Sequence, residues 1–112
     1  GLSQEPAFFK PNNNMKEFMI IVGLPDIFSP RFISLIPEQR SVVNEMMNEG
    51  VILSHALAED RSNLWIVMSA KNKSEVLKNI ARFPLVRYMK PQIKELMFQQ
   101  SATFILPEPS LN

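Results

Sequence analysis

The sequence has 112 residues, which is enough for one hydrophobic core and too few for two. Apolar residues make up 46% and charged residues 21%, so the chain is expected to fold rather than remain disordered. It has no cysteine, which excludes disulfides, thiolate metal sites and a cysteine nucleophile, and its 12 basic and 11 acidic residues form no basic block of the kind that binds nucleic acid.

The amino-terminal segment is predicted to be a flexible arm over residues 1–14. It contains Pro6, Pro11 and three consecutive asparagines and shows no helical or strand periodicity. The chain begins with Gly1 rather than methionine, so removal of a secretory signal peptide and a simple choice of boundary are alternative explanations, and either a cytoplasmic or an exported protein is compatible. No apolar run approaches the roughly 18 residues of a membrane span, so no membrane partner is expected.

A buried strand and a long helix are predicted next. Phe18 to Val22 are apolar without interruption, and the run stops at Gly23 and Pro25. Ser29 followed by Pro30 is typical of a helix start, and an apolar stripe then continues to Gly50, which predicts the helix end. Pro37 lies inside this helix and predicts a kink or a restart there.

The second half of the chain predicts a hairpin, a second helix and a last strand. Two strand-like runs, 51–59 and 64–70, are separated by a short polar turn. Asn72 with Glu75 three residues later resembles a capping box and starts a helix that ends before Pro84. The last strand is expected within 89–98, on or near an edge of the sheet because Pro91 lies in it, and the tail 99–112 offers a possible extra strand over 102–106.

This order of elements predicts a ferredoxin-like α+β domain over residues 15–98, with βαββαβ connectivity and a four-stranded antiparallel sheet. The first and third strands are apolar at odd and even positions alike. In a sheet with one solvent-exposed face, apolar and polar residues should instead alternate along each strand. Both helices are expected on one face. The other face therefore needs a cover, and a second copy of the chain, forming a homodimer or a higher homo-oligomer, is the economical one.

The sequence resembles the muconolactone isomerase family of the dimeric α+β barrel group over about residues 15–98. The resemblance rests on Leu24-Pro25 after the first strand, on Asn48-Glu49-Gly50, on the hairpin length and above all on the Pro-Leu-x-x-Tyr-Met pattern at 84–89. It implies a ferredoxin-like subunit in a dimer or larger ring, no metal or other cofactor, and a pocket between sheet and helices. The family's reaction moves a proton to shift a double bond in a small unsaturated lactone.

His55 and Glu59 are the candidate catalytic residues. His55 is the single histidine, and imidazole titrates near neutral pH, which suits proton transfer; a hydrogen-bonded structural histidine is the alternative. Strand alternation places His55 on one face with Val51, Leu53, Leu57 and Glu59. Glu59 is the candidate carboxylate, and because adjacent strand residues point to opposite faces, Asp60 is not expected to share its pocket. Both could instead belong to a solvated turn together with Arg61.

Four further residues are candidates for binding a substrate. Arg40 and Arg87 could each hold a carboxylate through two parallel hydrogen bonds, although surface solvation explains either one alone. Trp65 and Tyr88 combine an apolar ring with a polar tip, which suits a pocket wall, and for Trp65 packing in a core or interface is the simpler role.

Three functional hypotheses follow. The first is a muconolactone isomerase-like protein that binds a small unsaturated lactone or acid, with His55 or Glu59 moving a proton and an arginine holding the carboxylate. The second is a non-enzymatic dimeric domain of the same fold that binds a small molecule or another partner. The third is a cofactor-free oxygenase of the same barrel group. A titrating side chain within reach of an enclosed pocket would favour an enzyme over a binding domain.

Overall fold

The computed structural model describes residues 15–100 and 102. The predicted arm over 1–14 lies outside the described residues, as does the possible extra strand over 102–106 except for Ala102, which belongs to no helix or strand. The elements in chain order are β1 (Lys16–Gly23), α1 (Pro30–Asn48), β2 (Ile52–Leu57), β3 (Asn63–Ala70), α2 (Lys73–Ile80), a 3₁₀ turn (Val86–Tyr88) and β4 (Lys90–Glu95). Among these, neither helix is long and apolar enough to cross a bilayer.

The four strands form one antiparallel sheet in the order β2-β3-β1-β4, which confirms the predicted ferredoxin-like fold. The two central strands are β1 and β3, the apolar runs of the sequence. Ile20 pairs with Ile66, and Ile21 pairs with Trp65. β4 pairs only with β1, so it is an edge strand, as the proline at 91 predicted.

Helix α1 starts and ends where its local sequence predicts. Ser29 Oγ accepts a hydrogen bond from Phe32 N at 3.1 Å, and Pro30 takes the first helical position, where no donor is needed. At the other end Gly50 has φ 79°, and the amides of Gly50 and Val51 donate to the Met47 and Met46 carbonyls, which is a Schellman motif. The expected restart at Pro37 is wrong, because α1 is one continuous helix of 19 residues.

The β2–β3 hairpin contains a β-bulge that the sequence did not reveal. The register shifts between Ile52, which pairs with Met68, and Ser54, which pairs with Val67. Leu53 is therefore an extra residue, and beyond it His55 pairs with Ile66. Leu53 and His55 were expected on the same face of the sheet, and the bulge makes this expectation wrong. Ile52, not Leu53, lies on the same face as His55.

The core lies between the sheet and the two helices. Phe18, Ile20 and Val22 of β1 are 2% exposed or less, and they pack in one cluster with Phe32 and Met46 of α1 and with Val76 and Ile80 of α2. The predicted placement of both helices on one face is thus confirmed. Asn72 Oδ1 accepts from Glu75 N at 2.9 Å, and Glu75 Oε1 accepts from Lys71 N at 3.0 Å, so the predicted cap of α2 is also present.

The opposite face of the sheet is apolar at its centre. Met19 and Ile21 of β1 alternate with the buried core residues and pair with Val67 and Trp65 of β3. Trp65 is 38% exposed, and Met19 and Ile21 are half-buried. Within residues 15–100 no helix packs on this face, as the unbroken apolar pattern of the two central strands predicted.

Candidate functional site

A groove of about 1090 Å³ runs between helix α1, the β2–β3 hairpin and the start of the 3₁₀ turn. It lies on the helix-facing side of the sheet, where β2 forms the edge. Ten apolar residues line it: Leu24, Phe28, Phe32, Ile33, Ile36, Val43, Leu57, Leu64, Leu85 and Met89. Most of the wall is therefore apolar, as is usual for small-molecule sites.

The polar residues of the groove come from three segments. They are Asp26 after β1, the α1 residues Gln39, Arg40 and Asn44, and the hairpin residues His55, Glu59, Asp60 and Arg61. A few polar groups on an apolar wall are what fixes the orientation of a small ligand. Three of the predicted site residues, His55, Glu59 and Arg40, thus share one groove.

His55 reaches the groove because of the bulge at Leu53. The bulge resets the alternation of β2, so that His55 pairs with buried Ile66 and points to the helix side of the sheet. Its strand is at the sheet edge, so α1 covers it only in part and the imidazole is exposed. The imidazole is accessible to a ligand in the groove.

Glu59 and Asp60 both line the groove, which corrects the expectation that only one of them would. Strand β2 ends at Leu57, so the two carboxylates belong to the turn and strand alternation does not apply to them. Hydrogen bonds from the Ser62 hydroxyl at 2.6 Å and the Ser62 amide at 3.0 Å lower the pKa of the Asp60 carboxyl below 3.8. Asp60 is therefore a poor proton acceptor, and Glu59 is the carboxylate available for that role.

Arg40 extends from α1 beside Gln39, whose own side chain is buried. Gln39 is 8% exposed, and its Oε1 accepts a hydrogen bond from Leu85 N at 3.1 Å. Arg40 is exposed, and within the described residues it forms no ion pair within 4 Å, whereas Arg82 pairs with Glu49 and Glu45. The donors of Arg40 are therefore free to bind an anion in the groove.

The other three predicted binding residues do not line the groove. Trp65 lies on the opposite face of the sheet, paired with Ile21 and Ala56. Arg87 is exposed in the 3₁₀ turn. Tyr88 is close by but separated from the groove by Phe32, with which it makes an edge-to-face contact at 5.3 Å between ring centroids.

Four polar groove residues, Asp26, Gln39, Asn44 and Arg61, were not predicted as site residues from the sequence. Gln39 gave no signal, because a glutamine on a helix is ordinarily exposed and only the fold shows its buried partner. Arg61 was treated as part of a solvated turn, yet it lines the groove and has φ 64°, a left-handed conformation that is uncommon for residues other than glycine. Backbone conformations of this kind are not readable from residue types alone.

The arrangement offers an exposed imidazole, three exposed carboxylates and two arginines along a mostly apolar wall. These groups can bind a small acidic molecule and move a proton on it. No protein-family model and no curated protein matches the sequence, so the chemistry of the groove is argued from its own residues.

Proposed function

We propose that the chain is a muconolactone isomerase-like protein that binds a small unsaturated lactone or acid in the groove and shifts its double bond by proton transfer. The observation that carries the proposal is that His55, Glu59 and Arg40 line one mostly apolar groove. A proton carrier must lie within hydrogen-bonding reach of the substrate, and an acid must be held by a cation.

The reaction needs no redox partner. Glu59 or His55 takes a proton from the carbon next to the substrate carbonyl, so that one C–H bond breaks and its electron pair enters the conjugated system. A proton is then delivered to the far carbon of that system, where a new C–H bond forms and the double bond takes its new position. The substrate loses and gains one proton, and the side chain that took the proton returns to its starting state when it delivers it. Arg40 holds the carboxylate throughout.

The proposal includes a homodimer formed through the open sheet face. Met19, Ile21 and Trp65 make this face apolar, and no helix of the described chain covers it. A partly exposed apolar face that no described helix covers is a candidate interaction surface. A second copy presents the same surface, so the two faces match in size and polarity.

A non-enzymatic binding domain is the second candidate, and the exposure of the proton carriers favours it. His55 and Glu59 are both exposed, whereas catalytic groups usually act in sites from which water is removed. The same groove would then bind the acid through Arg40 and its apolar wall without turning it over.

The two candidates are separated by measuring binding and turnover on the same protein. Enol-lactones that carry a carboxylate are incubated with the wild type, His55→Ala, Glu59→Gln and the control Lys78→Ala, which changes an exposed α2 residue outside the groove. Turnover in D₂O is followed by NMR, which also reports deuterium entering the product. For an isomerase we expect the variant that removes the proton carrier, His55→Ala or Glu59→Gln, to lose about 100-fold or more in turnover and the control to lose none.

Each outcome has one reading. Binding seen as chemical-shift changes at the groove without turnover in the wild type identifies the binding domain. If turnover survives in both His55→Ala and Glu59→Gln, neither side chain is the proton carrier. Neither binding nor turnover with any carboxylate-bearing lactone contradicts both candidates.

A further inference from the structure

We infer that Arg61 is a specificity-determining residue of the groove, which binds a second acidic group so that the preferred ligand carries two. This inference rests on the proposed function, since it assumes that the groove binds small acids. It adds a residue and a ligand class that the proposal does not contain.

The backbone of Arg61 is held in an unfavourable conformation. At φ 64° the side chain of a residue other than glycine crowds its own backbone. The other left-handed residue in the described part of the chain is Gly50, which is the residue type expected there. An arginine at a glycine-favouring position weakens the turn, so a function of the side chain is the simplest reason for its presence.

The turn around Arg61 is fixed at several points. Arg61 N donates to Ala58 O at 2.9 Å, and Leu24 N donates to Ser62 O at 3.0 Å, which ties the turn to the end of β1. The Asp60 carboxylate accepts both bonds from Ser62. These contacts keep the conformation in place and direct residue 61 toward the groove that its side chain lines.

The guanidinium of Arg61 has no partner of its own. It forms no ion pair within 4 Å among the described residues, although Glu59 and Asp60 are its neighbours in sequence, and Asp60 is already bonded to Ser62. Arginine normally binds carboxylates through two parallel hydrogen bonds. The N–H donors of the Arg61 guanidinium are therefore available to a ligand.

Arg61 and Arg40 reach the groove from different elements. Arg40 comes from helix α1 and Arg61 from the β2–β3 turn, and apolar residues such as Leu57, Leu64 and Phe32 line the groove with them. Two cations that reach one mostly apolar groove from different elements fit a short molecule with an acidic group at each end. A molecule with one acid would use only one of the two arginines.

The test compares two acids that differ in one carboxylate. Hexanedioate and hexanoate are titrated into the wild type, Arg61→Gly, Arg61→Lys and the control Arg87→Ala, an exposed arginine outside the groove, and binding is followed by NMR. We expect the wild type to bind hexanedioate more tightly than hexanoate. Arg61→Gly should lose about tenfold in affinity for hexanedioate and none for hexanoate, because one charge-assisted contact is removed.

Thermal unfolding of the same variants separates a binding role from a structural one. Glycine removes the strain at position 61, so the Tm of Arg61→Gly should rise by a few degrees while its affinity falls. Arg61→Lys keeps the charge and the strain, and should retain part of the preference for the diacid without any gain in Tm.

The inference is overturned if Arg61→Gly binds hexanedioate as well as the wild type does, or if its Tm falls together with its affinity. It is also overturned if the wild type binds both acids equally, and in that case the proposed function stands. If the wild type binds neither acid, the proposed binding of small acids by the groove fails as well.

Discussion

The side-chain oxygen of Gln39 accepts a hydrogen bond from the backbone amide of Leu85, and both residues are buried. This contact joins the middle of helix α1 to the segment that follows α2, 46 residues away in the chain. Both residues also line the groove. A buried hydrogen bond thus links two walls of the groove.

Replacing Gln39 with methionine should lower the free energy of unfolding by about 1–3 kcal/mol, because the Leu85 amide would be left buried without an acceptor. Methionine keeps nearly the same volume, so packing changes little. Urea unfolding measures the difference. The matched control is Gln100→Met, at an exposed position after β4, which should change stability little. Equal stability of the two variants would mean that the bond does not hold the wall in place.

What could be predicted from the sequence was set by local interactions. Ser29 with Pro30, Asn72 with Glu75 and Gly50 act within one helical turn, so their residue types were sufficient to place the helix ends. The fold class followed from the order of the apolar runs. The restart at Pro37 was wrong, because packing against the sheet holds α1 in one piece despite the lost backbone hydrogen bond.

The groove depends on relationships that the sequence does not show. The bulge at Leu53 decides which way His55 points, and it appears only in the pairing of β2 with β3. The early end of β2 lets both Glu59 and Asp60 line the groove. Trp65 lies on the far face because it pairs with Ile21. The sequence did not show which face Trp65 would take, because β3 is apolar on both faces.

The ion pair between Arg82 and Glu49 should make stability depend on pH in acid. Arg82 donates to both carboxylate oxygens of Glu49, at 3.0 and 3.2 Å, and these bonds hold the pKa of Glu49 below 4.5. A carboxyl whose pKa is lowered by folding stabilises the folded state above its unfolded pKa, and this contribution is lost as pH falls through the folded value. The stability difference between the wild type and Arg82→Ala should therefore shrink from pH 5 downward.

The pKa itself is measured by carbon-detected NMR of the Glu49 carboxyl. Its midpoint should move up toward the ordinary glutamate value in Arg82→Ala and stay unchanged in the control Arg87→Ala, which removes an arginine with no contact to Glu49. Because the pair is exposed, high salt should also weaken the effect. A Glu49 midpoint that ignores the loss of Arg82 would show that the pair does not form in solution.

The open sheet face predicts a dimer that a single charge should break. Ile21 lies at the centre of this face, next to Trp65 and in the strand that also carries Met19. A lysine at position 21 would place a charge where the second copy packs, and burying an unpaired charge costs several kcal/mol. Light scattering should therefore report twice the chain mass for the wild type and the single chain mass for Ile21→Lys.

The control for this prediction is Leu77→Lys, which puts the same charge on the outer side of α2, where Leu77 is 48% exposed and faces away from the sheet. It should leave the dimer intact. Trp65 is the single tryptophan and is 38% exposed in one chain, so its fluorescence should shift to shorter wavelength as the protein concentration rises and the face is covered. A wild type that stays monomeric at high concentration, with unchanged Trp65 emission, would mean that something other than a second copy covers Met19, Ile21 and Trp65, because an apolar face of this extent is not expected to stay in contact with water.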